Sequence, residues 1–265
     1  MNPVRHVQNV PWVPGKATYL DNDGIKSAIM KYGALWVGYY HENSCYKASK
    51  ASYYFPYFFT DGLRHSNHAV AVVGWDDNYS KDNFAITPKG NGAYIVRNNW
   101  GTSWGGAGYF YVSYYDETFA WGTLYSFSNA ESVDNYDTIY QYDELGMVSS
   151  LGYGSASAWG ANVFTAVDAN QIAAVGFYAL VPTTAYTIYV YTGCTSGDPR
   201  SGSLQHSQSG SSETAGYVTI PLSKPVSVTT GQKFSIVLQL TTSGYNWPLA
   251  FEYAVAGYSS GATAS

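Results

Sequence analysis

Residues 65–115 read HSNHAVAVVGWDDNYSKDNFAITPKGNGAYIVRNNWGTSWGGAGYFYVSYY, and this stretch decides the fold of the first half of the chain. His68 opens an apolar run that continues to Trp75, and a second apolar run, Ala93–Arg97, leads directly into Asn98. Short apolar runs of this kind are typical of buried strands. The sequence therefore predicts two antiparallel strands that bring the His68 ring to the Asn98 amide, an arrangement that orients an imidazole for acid–base work.

Two blocks in this stretch, NHAVAVVGW at residues 67–75 and VRNNWGTSWGGAGYF at residues 96–110, resemble the histidine and asparagine blocks of the papain-like cysteine peptidases. The resemblance implies that His68 is the catalytic histidine, that Asn98 orients it, and that Trp100 shields their hydrogen bond from water. The residues expected to line the substrate-binding site are Asn67, Ala69, Trp100 and Trp104.

Taken alone, each block has a plainer interpretation. A lone histidine on an apolar strand is usually a buried polar group that a neighbour satisfies, and Asn98 alone would be a turn residue. The two blocks in order favour the catalytic interpretation. Gly101, Gly105 and Gly108 suit a tight turn packed under the two indoles, because glycine tolerates a positive φ and a close backbone approach.

The nucleophile expected of this family is not recognisable in the chain. The resemblance implies a cysteine at the start of a long helix, well over ~100 residues before the histidine. Only Cys45 precedes His68, in a polar stretch without a helix start, so we expect an unactivated thiol there. We therefore expect the chain to be the second half of a peptidase domain and to be inactive alone. Cys45 and Cys194 are both expected to be free thiols.

Composition narrows the range of partners and locations. The net charge of the 265-residue chain is −5 and only 12% of its residues are charged, so no basic face is available for nucleic acid or anionic lipid. No apolar run approaches the ~18 residues of a membrane span, and no signal peptide follows Met1. Abundant Tyr and Gly with few charges favour a secreted or cell-envelope protein whose leader lies upstream.

The residues before the first block predict a helix and a strand. Three prolines make residues 1–20 an extended lead-in. Apolar side chains recur at helical spacing over residues 25–32, behind capping side chains at residues 21–24 and before Gly33, which predicts a short amphipathic helix. Residues 34–40 have the composition of a buried strand. The aromatic segment at residues 51–59 has two interpretations. Its rings either pack on the β-barrel expected for this half of the chain or form a wall of the substrate cleft.

Between the two blocks, oxygen-bearing side chains alternate as in a calcium loop. They are Asp76, Asn78, Ser80 and Asp82. An EF-hand needs Gly at position six and Glu at position twelve, where this chain has Lys81 and Thr87. A polar hairpin insertion is the better interpretation. No metal and no cofactor is expected.

From Tyr136 on, the sequence hardly shows a helical period. Residues 126–135 have the composition of a linker. Strands are predicted at residues 140–145, 161–166, 173–180, 187–192, 217–222 and 234–240. Short strands separated by Gly, Ser and Pro turns favour an antiparallel β-sandwich. The chain is thus expected to be mainly β (α+β overall), with a papain-like β-barrel half-domain at residues 1–128 and a jelly-roll or lectin-like β-sandwich at residues 135–265.

This order of domains resembles the envelope-associated peptidases of bacteria and archaea that carry a lectin-like domain behind the catalytic one. Four aromatic residues of the second domain could stack on sugar rings: Trp159, Tyr217, Tyr245 and Trp247. At this tyrosine content, core or rim packing is the competing interpretation. A cell-wall glycan is therefore one candidate partner.

Two functions from different classes follow. The first is a thiol peptidase acting on peptide or protein substrates, in a full-length parent that supplies the nucleophile. The second is a cell-surface or carbohydrate-binding module with a remnant peptidase domain. If the chain is half of a peptidase domain, the surface around His68 should be exposed and apolar, or covered by the missing half or by a second chain.

Overall fold

The computed structural model describes residues 4–142, 145–257 and 259–260, and the chain divides into two compact units. One unit runs from Trp12 to Ser128 and contains the two sequence blocks. The other comprises the residues up to Pro11 together with those from Asn129 onwards. Both are built mainly of strands, as expected, and none of the described helices is long and apolar enough to cross a bilayer.

The unit from Trp12 to Ser128 is organised around one sheet. Its elements are the end of β1 (His6–Val13), α1 (Asp23–Tyr32), β2 (Leu35–Tyr39), β3 (Tyr46–Lys47), β4 (Ser52–Tyr53), β5 (His68–Asp76), β6 (Ala93–Arg97), β7 (Tyr109–Ser113) and β8 (Leu124–Tyr125). The strand order is β1-β8-β2-β5-β6-β7-β4-β3, and β5 pairs with β2 and β6, both antiparallel. The strand that begins with His68 is therefore held on both edges.

Helix α1 forms where the apolar spacing predicts it, with Ile25, Ala28 and Ile29 buried. It ends at Gly33, which has φ 83° and donates its N–H to Ile29 O at 2.9 Å. The expected side-chain cap at its start is wrong. Asn22 makes no capping hydrogen bond, because its Oδ1 accepts from the hydroxyl of Tyr94, a fully buried residue that needs a polar partner.

The segment between β4 and β5, residues 54–67, is fixed at its start by one buried carboxylate. Asp116 accepts from Phe55 N at 2.8 Å and from Thr118 N and Phe119 N, each at 2.9 Å. Burial of Phe55 follows from this anchor. We call residues 54–67 the aromatic loop.

Of the two interpretations of the aromatic segment, ring packing inside the unit is confirmed for part of it, and the wall of a substrate cleft stays a prediction. Tyr53, Tyr54 and Phe55 are buried, whereas Tyr57 and Phe58 are exposed. The rings of Tyr53, Tyr54 and Phe55 therefore pack inside the unit, whereas those of Tyr57 and Phe58 face solvent.

Residues 77–92 connect β5 to β6 as an insertion in an antiparallel hairpin, with one 3₁₀ turn at Lys81–Asn83. Asp76 Oδ1 accepts from Asn78 N at 2.9 Å, and Ser80 Oγ accepts from Asp82 N at 3.2 Å. The polar side chains of this insertion therefore stabilise its own turns.

The second unit is an antiparallel β-sandwich, as predicted. Its strands are the start of β1, β9 (Ser128–Glu131), β10 (Ser149–Leu151), β11 (Ser157–Thr165), β12 (Asn170–Ala179), β13 (Thr184–Thr192), β14 (Ser203–Ser212), β15 (Gly216–Val228), β16 (Lys233–Thr241) and β17 (Leu249–Phe251). One sheet has the order β11-β16-β13-β14, and β12 and β15 pair in the other. Between them lies a core that includes Phe177, Ile188 and Leu240.

Several details of this unit differ from the prediction. A strand was expected at residues 140–145, but residues 140–142 and 145 are not in a strand. Residues 143–144 lie outside the described residues. The linker is partly a strand, because β9 pairs with β1. The lead-in is also a strand, since Asn9, Val10 and Pro11 pair with residues 216–218 of β15.

Candidate active site

Strand pairing brings the predicted histidine and asparagine together. His68 is the first residue of β5 and lies opposite Tyr39 of β2, whereas Asn98 directly follows β6. His68 Nε2 lies 3.0 Å from Asn98 Oδ1. The half-buried imidazole is thus tied through one nitrogen, and the fully buried amide is fixed by its place at the end of a strand.

The hydrogen bonds around Asn98 determine which His68 nitrogen carries the proton. Asn98 Oδ1 also accepts from Asn99 N at 2.8 Å, so this atom must be the oxygen of the amide. An amide oxygen can only accept, and His68 must therefore donate from Nε2. In the neutral ring this leaves Nδ1 as the atom with a free lone pair. Nδ1 makes no hydrogen bond within the described part of the chain.

The two tryptophans of the second block surround this pair. Trp100 stacks on the His68 ring with centroids 4.6 Å apart and an interplanar angle of 25°. Trp104 meets Trp100 edge-on at 5.0 Å and stacks on Tyr46 at 4.9 Å. Trp100 is still 43% exposed, so it covers one face of the imidazole and presents its own surface to solvent.

A turn built on glycines holds Trp100 and Trp104 in place. Gly101, Gly105 and Gly108 all have positive φ, at 86°, 59° and 88°, as the sequence predicts. Asn98 N donates to Gly108 O at 2.9 Å, and Gly108 N donates to Trp104 O at 2.7 Å. A side chain at residue 108 would also run into Arg97, since an added Cβ would lie 1.7 Å from its Nη1 atom.

Asn67 and Ala69 flank His68 but differ in their surroundings. Ala69 is half-buried in β5 opposite Gly38. Asn67 is exposed, and its amide clamps the backbone of His41, accepting from His41 N at 2.7 Å and donating to His41 O at 3.1 Å. Asn67 therefore positions a second histidine.

His41 is a residue of this site that the sequence interpretation missed. Its ring lies 6.2 Å from the His68 ring and 5.1 Å from Trp100, centroid to centroid. Its Nδ1 lies 2.9 Å from Tyr39 Oη and its Nε2 lies 3.2 Å from Asn43 Oδ1. Burial lowers the pKa of His41, and the charge of His68 acts in the same direction.

Cys45 is a buried thiol rather than an exposed nucleophile. Its side chain is fully buried in the core of this unit, and burial raises the pKa of the thiol. A raised pKa disfavours the thiolate, which is the reactive form. Cys194 is also buried, and both cysteines are free, as expected. Among the described residues, no three His, Cys, Asp or Glu side chains are grouped so as to hold a metal ion.

Comparison with known proteins assigns the two parts of the chain to families. Residues 5–127 match the model of the papain family cysteine proteases, and residues 139–265 match the model of the lectin-like domain. Cysteine proteinase 3 of Entamoeba histolytica is 31% identical over 121 residues, which cover 41% of this chain and 32% of that protein.

Two solved structures resemble nearly the whole chain. A structure of the clostridial cysteine protease Cwp84 after propeptide cleavage has a TM-score of 0.81 and 27% identity, and covers 97% of this chain and 62% of that one. A structure of the cysteine protease and lectin-like domains of Cwp84, a surface layer associated protein of Clostridium difficile, has a TM-score of 0.79 and 29% identity, and covers 97% and 55%. This chain thus spans less than two thirds of each relative's length. It combines a papain-family cysteine protease segment, at residues 5–127, with a lectin-like domain, at residues 139–265.

Proposed function

We propose that the full-length parent of this chain is a cysteine peptidase in which His68 is the general base and Asn98 orients it. The observation that carries the proposal is that Asn98 Oδ1 accepts two hydrogen bonds, one from His68 Nε2 and one from Asn99 N. Because that oxygen can only accept, Nδ1 of the neutral ring is free to take a proton. The thiol would come from a part of the protein outside residues 1–265.

In this mechanism Nδ1 of His68 takes the proton of that thiol, and the thiolate attacks the carbonyl carbon of the peptide. The imidazolium then gives the proton to the leaving amine as the C–N bond breaks, which leaves an acyl-enzyme. Water attacks the thioester next, Nδ1 accepts its proton, and the thiol departs with that proton. Trp100, stacked on the imidazole, excludes water from one face and so strengthens the bond to Asn98.

The test compares this chain with one extended upstream to include a cysteine-bearing first half, using a fluorogenic peptide and an epoxide probe for thiol proteases. We expect the short chain to be silent and the long chain to turn over. His68→Ala in the long chain should cost about 10²–10⁴-fold in rate, the usual share of a general base. Asn98→Ala should lower kcat by a smaller factor.

Asn99→Ala is the matched control, because it keeps the backbone N–H that Asn98 Oδ1 accepts. It should leave the rate within about twofold of the parent. An active His68→Ala variant, or probe labelling of Cys45 in the short chain, would contradict the proposal.

We further propose that the lectin-like part, residues 135–265, binds a glycan, and that the protein is secreted or held at the cell envelope. The match to the lectin-like model supports the first point, and the likeness to a surface-layer associated protein supports the second. If the peptidase part, residues 1–128, were a remnant, glycan binding would remain while the long chain stayed inactive. The two functions are therefore separable by experiment.

A further inference from the structure

The outer face of the sheet β11-β16-β13-β14 carries an aromatic wall. Side chains alternate along β11, so that Ala158 and Phe164 are buried while Trp159 and Ala161 lie on the opposite, solvent side. Register places Ala161, Val237 and Tyr189 side by side across three strands. Trp159 stacks on Tyr189 with centroids 5.5 Å apart and an angle of 22°.

The loop between β13 and β14 turns this face into a cleft. Ser235 Oγ donates to Pro199 O, and Lys233 Nζ donates to Ser196 Oγ, so two residues of β16 fasten the loop to the sheet. Beside the loop lies a cavity of about 310 Å³ lined by Trp159, Gly160, Ala161, Pro199, Arg200 and Val237. We call these six residues the Trp159 cleft. A cavity of about 460 Å³ adjoins it at Ala161.

The cleft offers an exposed aromatic surface on which a sugar ring can stack. Trp159 is 40% exposed although Tyr189 covers part of its ring, and the floor beside it consists of small residues. An indole fixed in this way offers a flat surface to the C–H face of a pyranose. The adjoining cavity supplies polar groups that can bind hydroxyls, including Thr165 and Ser196.

Two cations border the cleft. The Arg200 guanidinium lies 6.0 Å from the centre of the Trp159 ring, and Lys233 lines the adjoining cavity. Asp198 is the acidic residue of this loop, and its Oδ1 accepts from Arg200 N at 2.9 Å. Within the described residues neither cation has a carboxylate in ion-pair contact. In a chain of net charge −5, this is a local positive site.

We propose that the Trp159 cleft binds an acidic saccharide, with one ring stacked on Trp159 and its anionic group facing Arg200. This inference rests on the glycan binding proposed above and adds its place and its charge preference. The peptidase activity plays no part in it. Trp247, the other exposed tryptophan of this unit, meets Tyr245 edge-on at 5.9 Å and does not line the cleft.

The experiment measures binding of tetragalacturonic acid and of neutral cellotetraose by calorimetry, on the whole chain. Trp159→Ala should weaken the acidic tetramer at least tenfold, and Trp247→Ala should leave its affinity within twofold. Arg200→Gln should weaken the acidic tetramer about fivefold and leave the neutral one unchanged. Binding of the acidic tetramer should weaken with salt. Circular dichroism checks that each variant is folded.

The outcomes separate the place from the function. Loss of binding in Trp247→Ala but not in Trp159→Ala would overturn the cleft while glycan binding stands. Equal affinity for the two tetramers, unaffected by Arg200→Gln, would overturn the charge preference. No binding of either tetramer would overturn both this inference and the glycan proposal. If an acidic peptide bound to the cleft and neither tetramer did, the cleft would be a protein-binding surface.

Discussion

His41 lies close enough to His68 for a charge on one ring to shift the pKa of the other. Its pKa is lowered first by burial and then by His68, while Asn43 and Glu42 act in the opposite direction. Tyr39 and Tyr53 are the other titratable groups against the ring. His41 therefore stays neutral in the folded chain at pH values where an unfolded histidine is already protonated.

This difference predicts a pH dependence of stability. Below pH 6.5, the usual pKa of histidine, His41 binds a proton in the unfolded chain but stays neutral in the folded chain. The free energy of unfolding should therefore decrease as the pH is lowered. His41 contributes at most about 1.4 kcal/mol of this decrease per pH unit. Urea unfolding at pH 7.5 and pH 5.5 measures it. His41→Gln should lose less stability between the two than the parent, and an equal loss would contradict the argument.

At the level of single residues, the sequence predicted the contact between His68 and Asn98, the stacking of Trp100 and the positive φ of three glycines. These features were predictable because the residues concerned stand at set positions within the two sequence blocks. Cys45 as a poor nucleophile was also predictable, from its polar neighbours. His41 was not, since it enters the site through the pairing of Tyr39 with His68. That register is set by packing between strands far apart in the chain.

The turn after β6 is the element on which the position of Trp100 depends. Gly108→Ala should destabilise the chain by about 1–3 kcal/mol, because residue 108 has φ 88° and an added Cβ would press on Arg97. Thermal unfolding measures the change.

Gly24→Ala is the matched control, because Gly24 lies in α1 with no atom within 4 Å of an added Cβ. It should stabilise by about 0.5–1 kcal/mol, since alanine loses less backbone entropy. If both variants unfolded at the same temperature, the turn would not be under the proposed constraint.

Among elements, those with a clear apolar pattern were predicted and polar ones were not. Strand β6 has the predicted bounds, and β16 buries Phe234 and Leu240 on the predicted face. By contrast, β14 reads SLQHSQSGSS, in which Ser, Gln and Gly give no strand signal. It forms because β13 beside it offers a free edge of hydrogen-bonding groups.

For the whole molecule, the exposed end of the aromatic loop bears on the expected missing half. Tyr57, Phe58 and Leu63 are all more than half exposed, on the segment that leads into His68. We propose that the first half of the peptidase domain, or a second chain, covers them. Exposed apolar surface of this kind is seldom left bare.

The 265-residue chain should therefore bind a hydrophobic dye and self-associate, and the upstream-extended chain should not. Replacing Tyr57, Phe58 and Leu63 together by Ser should lower both signals. Met30→Ser, at an exposed position on α1, is the control and should change neither. Sedimentation velocity and dye fluorescence measure the effects. A short chain that stays monomeric and binds no dye would contradict the proposal.

Strand β1 also constrains the order in which the protein can be completed during synthesis. Its residues from Asn9 to Pro11 pair with β15, which leaves the ribosome about 200 residues later. At ~5–20 residues per second, that delay is roughly 10–40 s. Throughout that time Asn9, Val10 and Pro11 have no native partner strand on that edge. We therefore expect the pairing of β1 with β15 to form late, after residues 216–228 have left the ribosome.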